Sequence, residues 1–374
     1  MKFNFFHLMP WTDYPREPEE WPVSNQEFEA ERGRQLYAGY IDCMAYAEQC
    51  GFDSIGCNEH HFSPYGLMSN CNLIGSALIQ RTKTVKLAML GNLIPLLNPI
   101  RVAEEYAMLD VMSGGRLLAG MMRGIPHEYI AYNVPPSESR ERLREAVALI
   151  VKAWTEPEPF GWEGEFYQFP SVSIWPKPYQ KPYPRLLMSG TNEESVEFVA
   201  QHRAKLGIVL IADLSVARAN IDLYYKVARA SGWEPVPDDI LIGHHTCIAD
   251  SDEEAREHLR KGLDYFHRIL MRPQRSAQQL VIQKTRYYQR EGSSDRFEAR
   301  LATLRARSLE EQIESGSVYC GSPETVVAQI KRVHQALGHG IEQFTMKVGN
   351  MPDPVVRRGM ELFRDRVQPE LRDL

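Results

Sequence analysis

The feature that most constrains this chain is an alternation running from end to end: short apolar runs separated by longer stretches with helical spacing. Such alternation is the pattern of βα units wound into a parallel sheet, because parallel strands need long crossovers and helices supply them. The apolar runs fall near Lys2–His7, Ser54–Asn58, Val85–Gly91, Leu117–Met121, Arg185–Met188, Leu206–Leu210, Ile240–Cys247 and Gln343–Lys347, eight candidate strands in all. Eight predicts closure, so the expected fold class is α/β, a single (β/α)8 TIM barrel over residues 1–374 with segments inserted between its units.

Boundary chemistry supports the helices between the strands. Asn98-Pro99 pairs a capping side chain with a proline at the first helical position, and Ser113-Gly114-Gly115 offers a left-handed stop. Leu143, Val147, Ile150 and Trp154 recur at helical intervals and predict one apolar face after a start at Pro135-Pro136-Ser137. Two segments break the rhythm, about 155–184 and 265–317, and both are expected where a barrel carries its functional loops. For the first, rich in Pro, Trp, Tyr and Phe, an aromatic wall over a substrate and a packed surface excursion are both open. For the second, charged and helix-forming around Gly292-Ser293-Ser294, a lid and an added dimer hairpin are both open.

Composition excludes several classes. A net charge of -6 with no basic run argues against nucleic acid or an anionic membrane surface as the main partner. No apolar stretch is long enough to span a bilayer, and Met1–His7 lacks the apolar run of a signal peptide, so a cytoplasmic location is expected. The six cysteines contain no C-x-x-C pair and read as small core residues, with no metal site expected.

The chemistry-bearing residues gather at strand ends. Glu59-His60-His61-Phe62 follows the second strand, where a carboxylate beside a histidine can fix its tautomer and make an acid–base unit. A metal-dependent hydrolase is the rival, but His-x-His is missing from the first strand, Phe6-His7-Leu8-Met9. Arg123-Gly124 ends the fourth strand, where a guanidinium can grip a phosphate or make a rim salt bridge. Ser189-Gly190-Thr191-Asn192-Glu193-Glu194-Ser195 leads into a helix. Its turn can offer N–H groups to a phosphate, yet a plain capping box of Thr191 with Glu194 is favoured on local grounds. His244-His245 lies within a strand, so at most one looks inward. His127-Glu128-Tyr129 is either an exposed polar loop or a contact to substrate or cofactor.

These pieces, in their order and spacing, resemble the bacterial luciferase-like family of flavin-dependent monooxygenases over nearly the whole chain. The text that carries the resemblance is Cys50-Gly51-Phe52-Asp53-Ser54, Asn58-Glu59-His60-His61-Phe62 with Gly66-Leu67, Pro99-Ile100-Arg101-Val102-Ala103-Glu104-Glu105 with Leu109-Asp110, Ser113-Gly114-Gly115-Arg116, Arg123-Gly124 and Gly321-Ser322-Pro323-Glu324. The resemblance implies reduced FMN (FMNH2) supplied by an NAD(P)H-dependent flavin reductase, and O2 adding to it as a 4a-hydroperoxide that oxidises a small organic substrate. It implies His60 as catalytic histidine, with Glu59 and His61 in support. It places Leu90, Gly91, Asn92 and Met122 beside the flavin ring, and Arg123, Gly190, Thr191, Asn192 and Ser195 around the phosphate, which reverses the preference for a plain cap. Met122 stands where luciferase carries a reactive cysteine, so light emission is not expected. Met9, Trp11, Tyr65 and Tyr129 are the expected substrate pocket, suited to an apolar or aromatic compound, and a homodimer is implied by the family. The alternatives are a deazaflavin-dependent hydride-transfer enzyme on the same barrel and a non-catalytic flavin-binding relative.

Overall fold

Each apolar run is a strand because its side chains must be buried on both faces, which only a parallel sheet jacketed by helices allows. The computed structural model describes residues 1–18, 20–284 and 307–374. Its strands are β1 (Lys2–His7), β2 (Ser54–Cys57), β3 (Lys86–Met89), β4 (Leu117–Gly120), β5 (Phe160–Glu163), β6 (Gln168–Val172), β7 (Leu186–Ser189), β8 (Lys205–Ile208), β9 (Ile240–Ile248), β10 (Val318–Gly321) and β11 (Ile341–Thr345). The helices that matter below are α1 (Ala30–Gln49), α2 (Cys71–Arg81), α3 (Pro99–Ser113), α4 (Pro126–Ala131), α5 (Ser139–Thr155), α6 (Glu193–Gln201), α7 (Leu214–Ala230), α8 (Asp252–Tyr265) and α9 (Met271–Lys284).

Parallel pairing runs β1-β2-β3-β4-β7-β8-β9-β11 and returns from β11 to β1, closing a barrel of eight strands. The expected TIM barrel is therefore the fold. All eight candidate strands are present with ends moved by a few residues. One strand was not foreseen: β10 pairs with the far half of β9, from Val318↔His245 to Gly321↔Ile248. His245 also faces Thr345 of β11, so β10 lies on the edge of β9 that β8 leaves after Ile242.

The inside of the barrel is packed and partly polar. Ser54 Oγ donates to Asn4 Oδ1 (2.6 Å), Asn4 Nδ2 to Gln343 Oε1 (2.9 Å) and Gln343 Nε2 to the Val209 carbonyl (2.8 Å), a relay that satisfies three buried side chains. Glycine is required where walls touch: a Cβ on Gly120 would sit 1.5 Å from the Met89 carbonyl oxygen. Helix ends behave as their chemistry predicts. Asn98 caps α3 by accepting from the N–H groups of Ile100 and Arg101, and Gly114 ends it at φ 65°. Val147, Ile150 and Trp154 are buried along one face of α5, with Leu143 partly buried. All six cysteines are buried and unbridged. Among the described residues no helix is long and apolar enough to cross a membrane.

The two irregular segments part company. Residues 155–184 follow a helix, α5, and lead into β7, so they occupy the helix-to-strand end of the barrel rather than the strand carboxyl ends. Their β5–β6 hairpin is moored to α5 by Glu145, whose carboxylate accepts from Trp162 Nε1 (3.1 Å) and from the N–H groups of Phe166 and Tyr167. Gln180 bonds Asp110 and the Leu117 carbonyl at the entrance of β4. The aromatic wall over a substrate is thus overturned, and the packed excursion holds. The second segment does reach the carboxyl-end mouth. It continues α8 as a π-helical turn, Phe266–Leu270, and α9; Arg268 and Arg272 pair with Glu17, and Tyr265 Oη donates to the Trp11 carbonyl (3.0 Å). Gly292-Ser293-Ser294 lies outside the described residues.

Of the histidine pair, His244 faces outward and His245 inward. His244 Nδ1 and His339 Nε2 donate to the two oxygens of Glu342 (2.6 and 2.8 Å), which also accepts from Tyr319 Oη (3.1 Å). Burial opposes the Glu342 charge, but the charge and hydrogen bonds of the two histidines win and bring its pKa down to about 2. A carboxyl depressed in the fold contributes stability above its unfolded pKa, near 4.5, that is lost as pH falls toward about 2. Urea unfolding should therefore show wild type ahead of Glu342→Gln by on the order of 3 kcal/mol above pH 5. The gap should narrow as pH falls below 4.5, and two curves with the same pH slope would contradict a charged Glu342.

Candidate active site

The carboxyl ends of β1, β2 and β3 turn sharply. Met9, Phe62 and Asn92, all non-glycine residues just beyond these strands, adopt positive φ of 52°, 59° and 41°. Left-handed backbone at such residues is costly and is kept where surrounding structure over-determines it, commonly at functional sites. These turns aim the residues after β2 into the barrel mouth.

Glu59, His60 and His61 divide into two separate pairs. His61 Nε2 donates to Glu59 Oε1 (3.2 Å), leaving Nδ1 to accept from Tyr132 Oη (3.2 Å), all buried but the Tyr132 ring. His60 turns the other way: its Nδ1 donates to Glu128 Oε1 (2.9 Å), while Tyr65 packs edge-on at 4.7 Å. The tautomers follow from the hydrogen-bond networks. Nε2 is then the basic nitrogen of His60, on a side chain 19% exposed at the mouth. Glu59 supports His61, and it is Glu128 that supports His60.

Glu128 is fully buried in α4 and holds both its oxygens at work, Oε1 on His60 and Oε2 on the Ile125 N–H (3.0 Å). Burial opposes its charge; the hydrogen bond from His60, the positive charge that His60 and His127 carry when protonated, and the Ile125 N–H nonetheless keep its carboxyl below the usual range. Beside it His127 is buried against Trp21, 5.0 Å away edge-on, with neither ring nitrogen partnered among the described residues, and burial pushes its pKa down to about 4. It is a neutral histidine in the site at pH 7.

The expected cofactor residues form a continuous arc from this turn. The N–H of Met122 donates to the Asn92 carbonyl (3.2 Å) and Ile94 N–H to the Met122 carbonyl (2.9 Å), so the end of β3, with Leu90, Gly91 and Asn92, is stitched to the end of β4. Next to Met122, Arg123 reaches Ser139 Oγ at the start of α5 (3.5 Å). The following Arg140 pairs with Glu194 of α6, as does Arg144 (2.9 Å). The α6 turn caps itself through Asn192 and Ser195, in place of Thr191 with Glu194: Asn192 Oδ1 accepts the Ser195 N–H (3.0 Å) and Ser195 Oγ accepts from the N–H groups of Thr191 and Asn192 (3.1 Å each). The local capping expectation is corrected in its members. The acidic pair that would repel an anion is partly neutralised because Glu194 is occupied by two arginines. Gly190 has no room for a side chain, since a Cβ would lie 2.5 Å from Leu206.

The expected pocket residues are less alike. Tyr65 lies between His60 and Phe266 (5.8 Å), and Phe266 meets the inward His245 edge-on at 4.9 Å, so an aromatic row crosses the mouth from β2 to β9. Burial, with His267 and His244 nearby, lowers the His245 pKa to about 3 and keeps it neutral. Met9 is fully buried, and Trp11 packs on Phe28 at 5.1 Å. Tyr129 is also fully buried with its hydroxyl on the Gly124 carbonyl (3.0 Å), bracing the turn after Arg123 instead of presenting a surface. Three residues were missed by the sequence argument: Glu128 as partner of His60, Arg140, and Asn58. The Asn58 amide is buried with no partner for Nδ2 or Oδ1 among the described residues, which costs about 1–3 kcal/mol for each unmet group. Strand alternation after Ser54 and Gly56 was the available signal for Asn58; Glu128 was noted within His127-Glu128-Tyr129, but nothing in the sequence paired it with His60, 68 residues away.

A closed parallel barrel with an oriented histidine beside a cationic, glycine-bearing arc at its carboxyl rim defines a (β/α)8 enzyme. The chain belongs to the luciferase-like monooxygenase family, whose profile matches residues 21–340. It is 28% identical over 228 residues to the alkanal monooxygenase alpha chain of Aliivibrio fischeri, an alignment over 60% of this chain and 64% of that one. It is 28% identical over 240 residues to the oxygenase component of a flavin-dependent trigonelline monooxygenase from Acinetobacter baylyi, over 63% and 64%. The chain thus spans just under two thirds of these curated relatives. Among solved structures, the monooxygenase RslO1 from Streptomyces bottropensis superposes with TM-score 0.77 at 26% identity over 99% of both chains. The FMN complex of the oxygenating constituent of 3,6-diketocamphane monooxygenase from Pseudomonas putida gives 0.77 at 20% identity, covering 99% of this chain and 98% of that one. An F420-dependent secondary alcohol dehydrogenase gives 0.68 at 19%, over 100% and 99%. The last two share the fold.

Glu128→Gln removes the anionic acceptor of His60 while keeping its shape. Turnover should fall by about tenfold or more, up to the 10²–10⁴ that an acid–base group supplies. The double variant with His60→Ala should be little worse than His60→Ala alone, because the two act as one unit. Additive losses in steady-state kinetics would separate them.

Proposed function

We propose that this enzyme is an FMNH2-dependent, two-component monooxygenase that inserts one oxygen atom of O2 into a small organic substrate. The observation that carries the proposal is the arc itself: one carboxylate, Glu128, ties the His60 imidazole to the turn bearing Arg123, and Arg123 leads through Ser139 and Arg140 to the α6 N-terminus. That order matches the order of parts in a bound flavin mononucleotide, with a reacting ring at one end and a phosphate at the other. The residues present fit such a group. The donor set at the far end, Arg123, Arg140 and the N–H groups of Thr191 and Asn192, suits a dianion at a helix N-terminus, the Ser195 hydroxyl exchanging for phosphate oxygens. At the ring end the unmatched Asn58 amide leaves a polar contact, while Gly91 lets the end of β3 pack closely on Cys71 and the Asn58 backbone.

When bound, reduced FMN supplies the activation of dioxygen, the part of the chemistry that side chains cannot perform. The chain does the rest. Leu90, Gly91, Asn92 and Met122 form the wall for the ring, and apolar Leu90 and Met122 exclude water from the reacting face. His60 accepts and returns a proton through Nε2, its tautomer held by Glu128. Tyr65, Phe266 and neutral His245 line the substrate side, which suits an apolar or aromatic compound with a polar group for His245. The reductant comes from a separate NAD(P)H-dependent flavin reductase, as the oxygenase-component relative suggests.

The test is oxygen consumption with FMN, NADH and a generic reductase across small aldehydes, ketones and aromatics. His60→Ala should retain FMN binding and lose product formation by on the order of 10²–10⁴. A fully active variant would remove His60 from the mechanism. Arg123→Ala should weaken FMN by about tenfold or more, the loss of a charge-assisted phosphate contact, and unchanged affinity in a fluorescence titration would put the phosphate elsewhere. Binding of deazaflavin without oxygen uptake would overturn the monooxygenase in favour of hydride transfer.

A further inference from the structure

The mouth contains a buried amide whose hydrogen-bonding capacity is wholly unused among the described residues. Asn58, just after β2, is 3% exposed, and neither its Nδ2 nor its Oδ1 meets a partner among the described residues. The other buried amides nearby are spoken for: Asn72 and Asn92 exchange two hydrogen bonds (3.1 and 2.7 Å), and Asn4 is held by Ser54 and Gln343. Ser54 and Gly56 both face the interior, Ser54 bonded to Asn4 and Gly56 directed at Phe6 and Leu90, and alternation carries Asn58 to the same face one step nearer the mouth. Its backbone lies against Gly91, where a Cβ would fall 2.9 Å from the Asn58 carbonyl carbon. A buried amide with nothing to bond within the chain calls for a partner from outside it, a bound molecule or ordered water.

A primary amide presents an N–H donor and a carbonyl acceptor side by side. The complementary group is a planar edge with an acceptor next to a donor. Reduced flavin has such an edge at its reacting side, the C4 carbonyl oxygen beside N5–H. Oxidised flavin replaces that N–H with a lone pair, and 5-deazaflavin replaces the nitrogen with carbon in either state. We propose that the Asn58 amide binds this edge, favouring reduced over oxidised flavin and discriminating against 5-deazaflavin. The proposal rests on the placement of reduced FMN against the end of β3, and it deepens that placement by naming the residue that selects the cofactor.

The experiment compares wild type with Asn58→Leu, close in shape and without polar atoms, and with Asn58→Ala, measured identically should the leucine variant not fold. Affinities for oxidised FMN, for FMNH2 under anaerobic conditions and for reduced 5-deaza-FMN are read by titration, and the midpoint potential of bound FMN by spectroelectrochemistry. Loss of the amide should weaken FMNH2 by about tenfold more than it weakens oxidised FMN or 5-deaza-FMN, the scale of the one hydrogen bond to N5–H that those two lack, since all three share the C4 carbonyl. The potential should then fall by about 30 mV, the two-electron equivalent of tenfold. The apo variant should melt no lower than wild type, because the substitution removes an unmet polar group. If wild type binds FMN and both variants keep its reduced-to-oxidised ratio and its potential, the assignment of Asn58 is wrong while the flavin site stands. If wild type binds FMN in neither state, the flavin site itself is wrong.

Discussion

A carboxylate with no exposure to water stays charged only if donors surround it, and the mouth of this barrel is organised around one such group. Glu128 holds the His60 imidazole with one oxygen and the Ile125 N–H with the other, so a single residue of α4 fixes the tautomer of the histidine and the position of the turn behind Arg123. Remove the charge and two unconnected strand ends lose their common anchor. The rest of the arc, from Asn92 through Met122 to Ser139, depends on that turn keeping its course. Glu342 repeats the device outside the barrel, where it clamps β9, β10 and the β11 approach through His244, Tyr319 and His339.

Polarity inside the barrel is graded along its axis. In the middle of the barrel, the Ser54–Asn4–Gln343–Val209 relay is satisfied and serves as packing. Toward the exits, the pattern changes: Asn58 is unmatched, His127 is neutral and unpartnered, and His245 is neutral and faces aromatic rings. Among the described residues, two of the side chains with no partner at any polar side-chain atom, Asn58 and His127, therefore lie at this end. A folded chain tolerates such costs where a ligand repays them.

Cover for that end comes from two distant stretches. The N-terminal loop brings Trp11, Glu17 and Trp21 over the mouth, and the π-helical turn at Phe266 with α9 meets it from the other side through Tyr265, Arg268 and Arg272. π-turns often sit at functional sites because the extra residue redirects a side chain, and here Phe266 is directed between Tyr65 and His245.

Strand periodicity, capping at Asn98 and Gly114, and the run after β2 were all readable in the chain, because each rests on residues adjacent in sequence. The eight strands and the closed barrel followed from them, and the resemblance carried by the Asn58–Phe62 and Arg123-Gly124 motifs agrees with the family to which the chain belongs. Whatever depends on two distant positions meeting was decided by tertiary structure. Glu128 finds His60 across 68 residues, β10 finds the free edge of β9, and Glu194 is drawn from its expected cap by Arg140 and Arg144. The aromatics of 155–184 misled for the same reason: composition says what a segment can cover, but only the winding of the chain, helix before strand, decides which end of the barrel it occupies.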